Sequence, residues 1–82
     1  MNDEAEIKNS IKNIFFEVFP NLSEVDFSWN KEQKDYPYWD SFAQLNIITF
    51  AESKFNVTLT LEESINIKSA NDLLECVLSH LK

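Results

Sequence analysis

Glycine is missing from all 82 residues of this chain. With it goes every glycine-rich phosphate loop, of the Walker type and of the dinucleotide type alike. Cysteine is nearly as scarce: the single Cys76 provides no internal disulfide framework and no multi-cysteine zinc site. The single His80 leaves little for a histidine-based catalytic or metal cluster, so no metal site is expected. Bases are few. Seven Lys and Arg face fourteen Asp and Glu, a formal net charge of -7. Such a surface repels phosphate backbones, which argues against nucleic acid as a partner and for proteins with basic patches. No apolar run approaches the length of a membrane span. The opening MNDEAEIKNS is acidic and polar, unlike a secretory signal or a transit peptide, and the expected location is the cytoplasm.

What the chain does have is apolar bulk. Hydrophobic residues make up 44% of it, with seven Phe and two Trp, enough for one packed core and too much for a disordered chain. At this length one domain covering residues 1–82 is expected, burying roughly 60% of its unfolded surface and acting as a monomer.

The periodicity predicts an all-α fold of three longer helices and one short one. The first helix runs from about Glu4 to Phe19, with Ile7, Ile11, Ile14, Phe15, Val18 and Phe19 in one stripe. Asp3, Glu4 and Glu6 complement the positive end of its dipole, and Pro20 stops it. Residues 21–39 show no helical period but hold Phe27, Trp29, Tyr36, Tyr38 and Trp39. A loop this long is expected to be functional or fastened down by its own side chains. The aromatics read as those fasteners, with Phe16 beneath them. The second helix starts at Ser41 with Asp40 as its N-cap, runs to about Phe55 and stops at Asn56. Residues 57–59 read as extended. Thr60 to Glu63 spell a capping box that opens the short third helix. Ser69 to Asp72 repeat that signal ahead of a last helix whose face is Ala70, Leu73, Leu74, Val77, Leu78 and Leu81. Cys76 lies at the edge of that face and reads as structural; His80 lies in the last turn, where a cation suits the dipole.

Projecting the second helix at 100° per residue gathers Ala43, Ile47, Ile48, Phe50, Ala51 and Phe55 on a core face. Asn46, Thr49, Glu52 and Ser53 fall opposite, and Phe42 and Leu45 fall on or beside that polar side. Two readings of Phe42 and Leu45 stand open: they pack on the long loop, or they form an exposed docking surface for partner proteins. Ser41 also has two readings. It is an ordinary helix-start residue, or its hydroxyl, near free backbone N–H groups, bears an anion that the helix dipole stabilises.

Asp40-Ser41-Phe42, with a helix ending in Glu52-Ser53-Lys54-Phe55, resembles the Asp-Ser-Leu helix of acyl carrier proteins. The likeness continues through Asn56-Val57, Leu59 to Glu63, Ile67 and Ser69 to Val77 in order and spacing. It covers about half of the chain closely; the first helix and the long loop agree in length and character only. The resemblance implies a four-helix acyl-carrier bundle in which Ser41 receives 4′-phosphopantetheine from coenzyme A, through a separate magnesium-dependent phosphopantetheinyl transferase. It implies that Asp40 helps that transferase engage and that Phe42, Ala43, Leu45, Asn46 and Thr49 are partner-recognition positions. It implies no catalysis by the chain itself: acyl or aminoacyl thioesters on the arm are loaded and processed by other enzymes. The chain departs from the family pattern. Trp39 stands directly before Asp40, Phe42 replaces Leu, and Ala43 and Asn46 replace acids. This Trp-Asp-Ser variant points away from core fatty-acid synthesis and towards a specialised pathway such as surface-sugar or secondary-metabolite assembly. The alternative is an interaction module of the same fold, with Ser41 unmodified and the second helix used for partner binding or regulation.

Overall fold

The computed structural model describes residues 3–81, and among them all regular structure is helical: α1 (Glu4–Val18), α2 (Ser41–Phe55), α3 (Leu61–Asn66) and α4 (Ala70–Leu81). The starts and stops follow from local chemistry. The Asp3 carboxylate accepts the Ala5 N–H at 3.3 Å and caps α1. At the other end the Phe19 N–H still reaches the Phe15 carbonyl at 2.9 Å, but Pro20 forbids continuation and Val18 is the last helical residue. α2 closes on Asn56, which adopts the left-handed conformation (φ 55°, ψ 49°). That conformation favours glycine; in a chain without any, asparagine is the residue that tolerates it best.

Capping boxes open the last two helices. Thr60 Oγ1 accepts the Glu63 N–H at 3.0 Å while Glu63 Oε1 accepts the Thr60 N–H at 2.8 Å. Before α4, Ser69 Oγ accepts the Asp72 N–H at 3.0 Å. The returning bond from Asp72 goes to the Lys68 N–H, also at 3.0 Å, one residue earlier than a regular box would have it.

α1 packs against both α2 and α4. Ile11, Phe15, Ile47, Leu73 and Val77 are completely enclosed at the centre. Burying such a side chain contributes about 1.5–3 kcal/mol to folding. Phe50 is the exception to the projected core face of α2: 40% of its surface is exposed. It lies over Ser10, Asn13, Ile14 and Glu17 of α1, where the small and polar side chains leave a shallow depression rather than a lid.

The long connection is fastened by aromatic rings. Phe15 meets Phe27, Tyr36 and Trp39 at centroid distances of 5.9, 6.1 and 5.5 Å. Phe19 stacks on Tyr36 at 5.3 Å, Phe16 supports Phe27 at 5.9 Å, and Phe27 meets Trp29 edge-on at 5.2 Å. Tyr38 is not one of the fasteners. It is 65% exposed, because Tyr36 and Trp39 both turn into the core and Pro37-Tyr38 bulges outward between them. The Tyr36 hydroxyl is buried with no well-formed hydrogen bond among the described residues; burial, reinforced by the Asp35 charge and only partly offset by the Ser28 backbone, pushes its pKa up.

The connection also has structure that periodicity does not announce. Gln33–Asp35 form one 3₁₀ turn, Glu32 pairs with Ser69 in an isolated antiparallel bridge, and the Gln33 N–H donates to the Lys68 carbonyl at 2.7 Å. The Asn71 N–H donates to the Trp29 carbonyl at 3.0 Å. The loop is thus tied by its backbone to the start of α4 as well as by its rings to α1. No helix among the described residues is long and apolar enough to cross a membrane.

Candidate functional site

Just upstream of Ser41, Trp39 is anchored in the core, and Ser41 itself is exposed. Trp39 is buried, with its indole N–H donating to Gln44 Oε1 at 2.6 Å and its carbonyl accepting from Gln33 Nε2 at 3.2 Å. Gln44 uses its other end as well. Its Nε2 donates to the Ser64 carbonyl at 2.6 Å and the Ile67 carbonyl at 3.0 Å. One amide therefore joins the end of the long loop, the first turn of α2 and the C-terminal end of α3. Ser64 lies in the last turn of the six-residue α3 and Ile67 is its C-cap, where carbonyls lack intrahelical partners. Gln44 is a site residue that sequence pattern did not single out. A glutamine on the flank of an amphipathic helix gives no sign of what it reaches across the fold.

On this platform Asp40 and Ser41 begin α2. The Asp40 carboxylate accepts the Ala43 N–H at 2.9 Å, and the Asp40 carbonyl accepts the Gln44 N–H at 2.9 Å as the first helical bond. The cap is supplied by Asp40, so the Ser41 hydroxyl is not consumed by capping. The Ser41 and Phe42 N–H groups precede the first intrahelical acceptor. A group on the Ser41 oxygen meets exposed donors and the positive end of a fifteen-residue helix.

Around Ser41 the apolar surface is large. Phe42 is 78% exposed and Leu45 62%, so the reading in which they pack on the loop is excluded. Being three residues apart, they share one face of α2. Asn46 and Thr49 are exposed as well. Ala43 is not: its methyl lies in the core, as the projection has it, and of the six positions that the resemblance marks for partner recognition its side chain is the one a partner does not reach. Sequence reasoning passed over Leu61 and Ile65, which are 78% and 61% exposed and share a face of α3. Gln44 ties the C-terminal end of α3 to the first turn of α2. Glu52, placed on the polar face of α2 by projection, is half-buried and accepts the Leu59 N–H at 2.9 Å, fixing the turn between α2 and α3.

A second cluster joins α3 to α4. His80 Nε2 lies 2.9 Å from Glu63 Oε2 and 3.1 Å from Oε1, and the Cys76 sulfur completes a group whose ligating atoms are all within 4.8 Å of one another. The Thr60 N–H, then His80, hold the Glu63 carboxyl below its ordinary range. Burial, then the neighbouring Glu63 charge, pushes the Cys76 thiol up to about 11. With chelator present, Cys76 is expected to react with iodoacetamide at pH 8 roughly tenfold or more slowly than free cysteine, because its thiolate is scarce. Mass spectrometry of timed samples reads the rate; alkylation as fast as that of free cysteine would contradict the burial.

Comparison with known proteins returns no match: no family model, no curated protein and no solved structure matches this chain.

Proposed function

We propose that this protein is a carrier of acyl or aminoacyl thioesters, with 4′-phosphopantetheine attached to Ser41. The observation that carries the reading is an exposed serine at the first position of α2, relieved of capping by Asp40 and flanked by exposed Phe42 and Leu45. The residues fit the group. The serine is exposed, so a transferase can reach it, and the first-turn N–H groups that lack intrahelical partners suit an attached phosphate.

Loading requires a separate magnesium-dependent transferase and coenzyme A. The Ser41 oxygen forms a bond to the pantetheine-bearing phosphorus, the phosphoanhydride bond breaks, and adenosine bisphosphate leaves with its electron pair. The hydroxyl proton passes to a base of the transferase. When bound, the arm supplies a terminal thiol for thioester formation; the protein itself supplies location and recognition. Tethering raises the concentration of the intermediate at whichever loading or processing enzyme is docked. α2 has no acid in its first turn, and nine of the fourteen Asp and Glu residues precede Phe42. Recognition beside Ser41 on α2 therefore rests on the exposed Phe42 and Leu45 more than on charge, which fits a dedicated partner set in a specialised pathway.

The test is direct. Purified protein incubated with coenzyme A, magnesium and a promiscuous phosphopantetheinyl transferase is expected to gain the mass of one arm. No gain with several active transferases would overturn the proposal, and partner capture by protein that stays bare in its native host would favour the unmodified interaction module. A second expectation concerns the flanking residues. Replacing Phe42 and Leu45 together by alanine should lower modification efficiency roughly tenfold or more, a loss of about 1.4 kcal/mol or greater in transition-state binding. The thermal midpoint should barely change, since exposed side chains away from structural contacts contribute within about 0.5 kcal/mol. An unchanged rate in initial-velocity assays would remove these two side chains from the docking surface.

A further inference from the structure

We propose that Glu63, Cys76 and His80 form a zinc site that clamps α3 to α4. Cys76 and His80 stand four residues apart on α4 and so project from the same side of the helix. Glu63 comes from α3, where the capping bond from the Thr60 N–H holds its carboxylate in place at 2.8 Å. One sulfur, one imidazole nitrogen and one carboxylate oxygen thus converge from two helices, mutually within 4.8 Å. Tetrahedral zinc needs ligand atoms roughly 3.3–3.6 Å apart. The His80–Glu63 contact of 2.9 Å must open slightly and the thiol must swing in, movements within the reach of side-chain rotation.

The donor set selects the ion. Sulfur and imidazole nitrogen suit a borderline-soft divalent metal, whereas calcium and magnesium require oxygen ligands in larger number. Asp72 and Glu75 line the same shallow depression of about 340 Å³ as Glu63 and Cys76, and their charges raise the local concentration of cations. On binding, the Cys76 sulfur gives its electron pair to the ion and its proton goes to solvent. His80 coordinates through Nε2 with its proton on Nδ1, and water fills the fourth position.

The clamp has a structural purpose. α3 has six residues, none of them buried, so it cannot stand by itself. Gln44 holds its C-terminal end to α2; Glu63 and His80 hold its N-terminal turn to α4. Zinc in place of the lone Glu63–His80 contact would order the helix that presents Leu61 and Ile65. This proposal does not depend on the modification of Ser41.

The experiment uses tag-free, chelator-treated full-length Ser41→Ala protein, so that Cys76 is its only thiol, titrated with zinc and, as a spectroscopic probe, cobalt(II). Expected are one-to-one binding, a rise in thermal midpoint, release of a proton at neutral pH, and a cobalt spectrum with intense tetrahedral bands and a thiolate charge-transfer band. Cys76→Ser should lose the charge-transfer band and at least tenfold in zinc affinity. His80→Ala should lose at least tenfold as well, with circular dichroism confirming that the variant keeps its helical content. Wild-type affinity in both variants, a pale octahedral cobalt spectrum, or an equal thermal shift with magnesium would each overturn the proposal.

Discussion

Ser41→Ala is expected to abolish phosphopantetheine transfer completely while leaving the protein as stable as its parent. Both halves follow from the geometry of the first turn of α2. The hydroxyl oxygen is the atom that would accept the phosphorus, and alanine has none. The serine does little for the fold, because the capping bond to the Ala43 N–H comes from Asp40. Ser41 is exposed, and alanine is the better helix former, so the stability change should stay within about 0.5 kcal/mol. Asp40→Ala is the informative contrast: it removes the cap and should cost about 1 kcal/mol, with the hydroxyl still present. Intact-protein mass spectrometry after transferase treatment, paired with thermal melts, separates the two effects. A full mass gain in Ser41→Ala would place the modification on another residue and end the assignment. Loss of modification together with loss of folding would show that Ser41 carries structural weight its exposure denies.

The parts of the fold legible in the sequence are those fixed within a few residues. Asp40 and Thr60 act as N-caps, Pro20 and Asn56 end their helices, and the Thr60–Glu63 box closes reciprocally as its spacing predicts; Asp3, read as a dipole partner, is the cap of α1. Each depends on a side chain reaching a backbone group of its own turn, which sequence spacing encodes directly. Helical periodicity was equally sound for most of the core. It failed at Phe50, whose exposure depends on how small the opposing α1 residues Ser10 and Asn13 are, a property of the neighbour rather than of α2. It has no purchase on loops. Tyr36 and Tyr38 look alike in sequence, yet one is buried in the ring cluster and the other is open to solvent. The bridge between Glu32 and Ser69, the bonds from Gln44 to Ser64 and Ile67 and the meeting of Glu63 with Cys76 and His80 all join residues distant in the chain. Of the last group only the four-residue spacing of Cys76 and His80 was visible beforehand, and a pair alone does not specify a site. The setting of Ser41 was legible for the opposite reason: a helix start is local in sequence, whereas the exposure of Phe42 and Leu45 beside it turns on where the long loop runs and so stays open in the sequence.

Phe15→Ala should have the largest effect on stability of any single truncation in the aromatic cluster. Its ring is fully enclosed and meets Phe19, Phe27, Tyr36 and Trp39, so it touches α1, the middle of the long connection and the residue just before Asp40. Truncating a buried phenylalanine costs about 3–5 kcal/mol, the lost transfer energy of the ring plus the cavity left behind. A domain of this length is expected to have only about 4–12 kcal/mol in total. The variant should therefore lose a quarter or more of its stability, and the loop should loosen before α1 does, because α1 keeps Ile7, Ile11 and Ile14 in the core. Urea unfolding followed by tryptophan emission reads both effects: the midpoint should fall sharply with little change in slope, and Trp39 should report a more polar setting under native conditions. Phe42→Ala serves as the control, the same truncation at a mostly exposed ring, where the change should be within about 0.5 kcal/mol. If Phe15→Ala cost less than about 1 kcal/mol, the ring cluster would not be what holds residues 21–39, and the backbone ties from Trp29 and Gln33 to Asn71 and Lys68 would have to hold the platform of Ser41 instead.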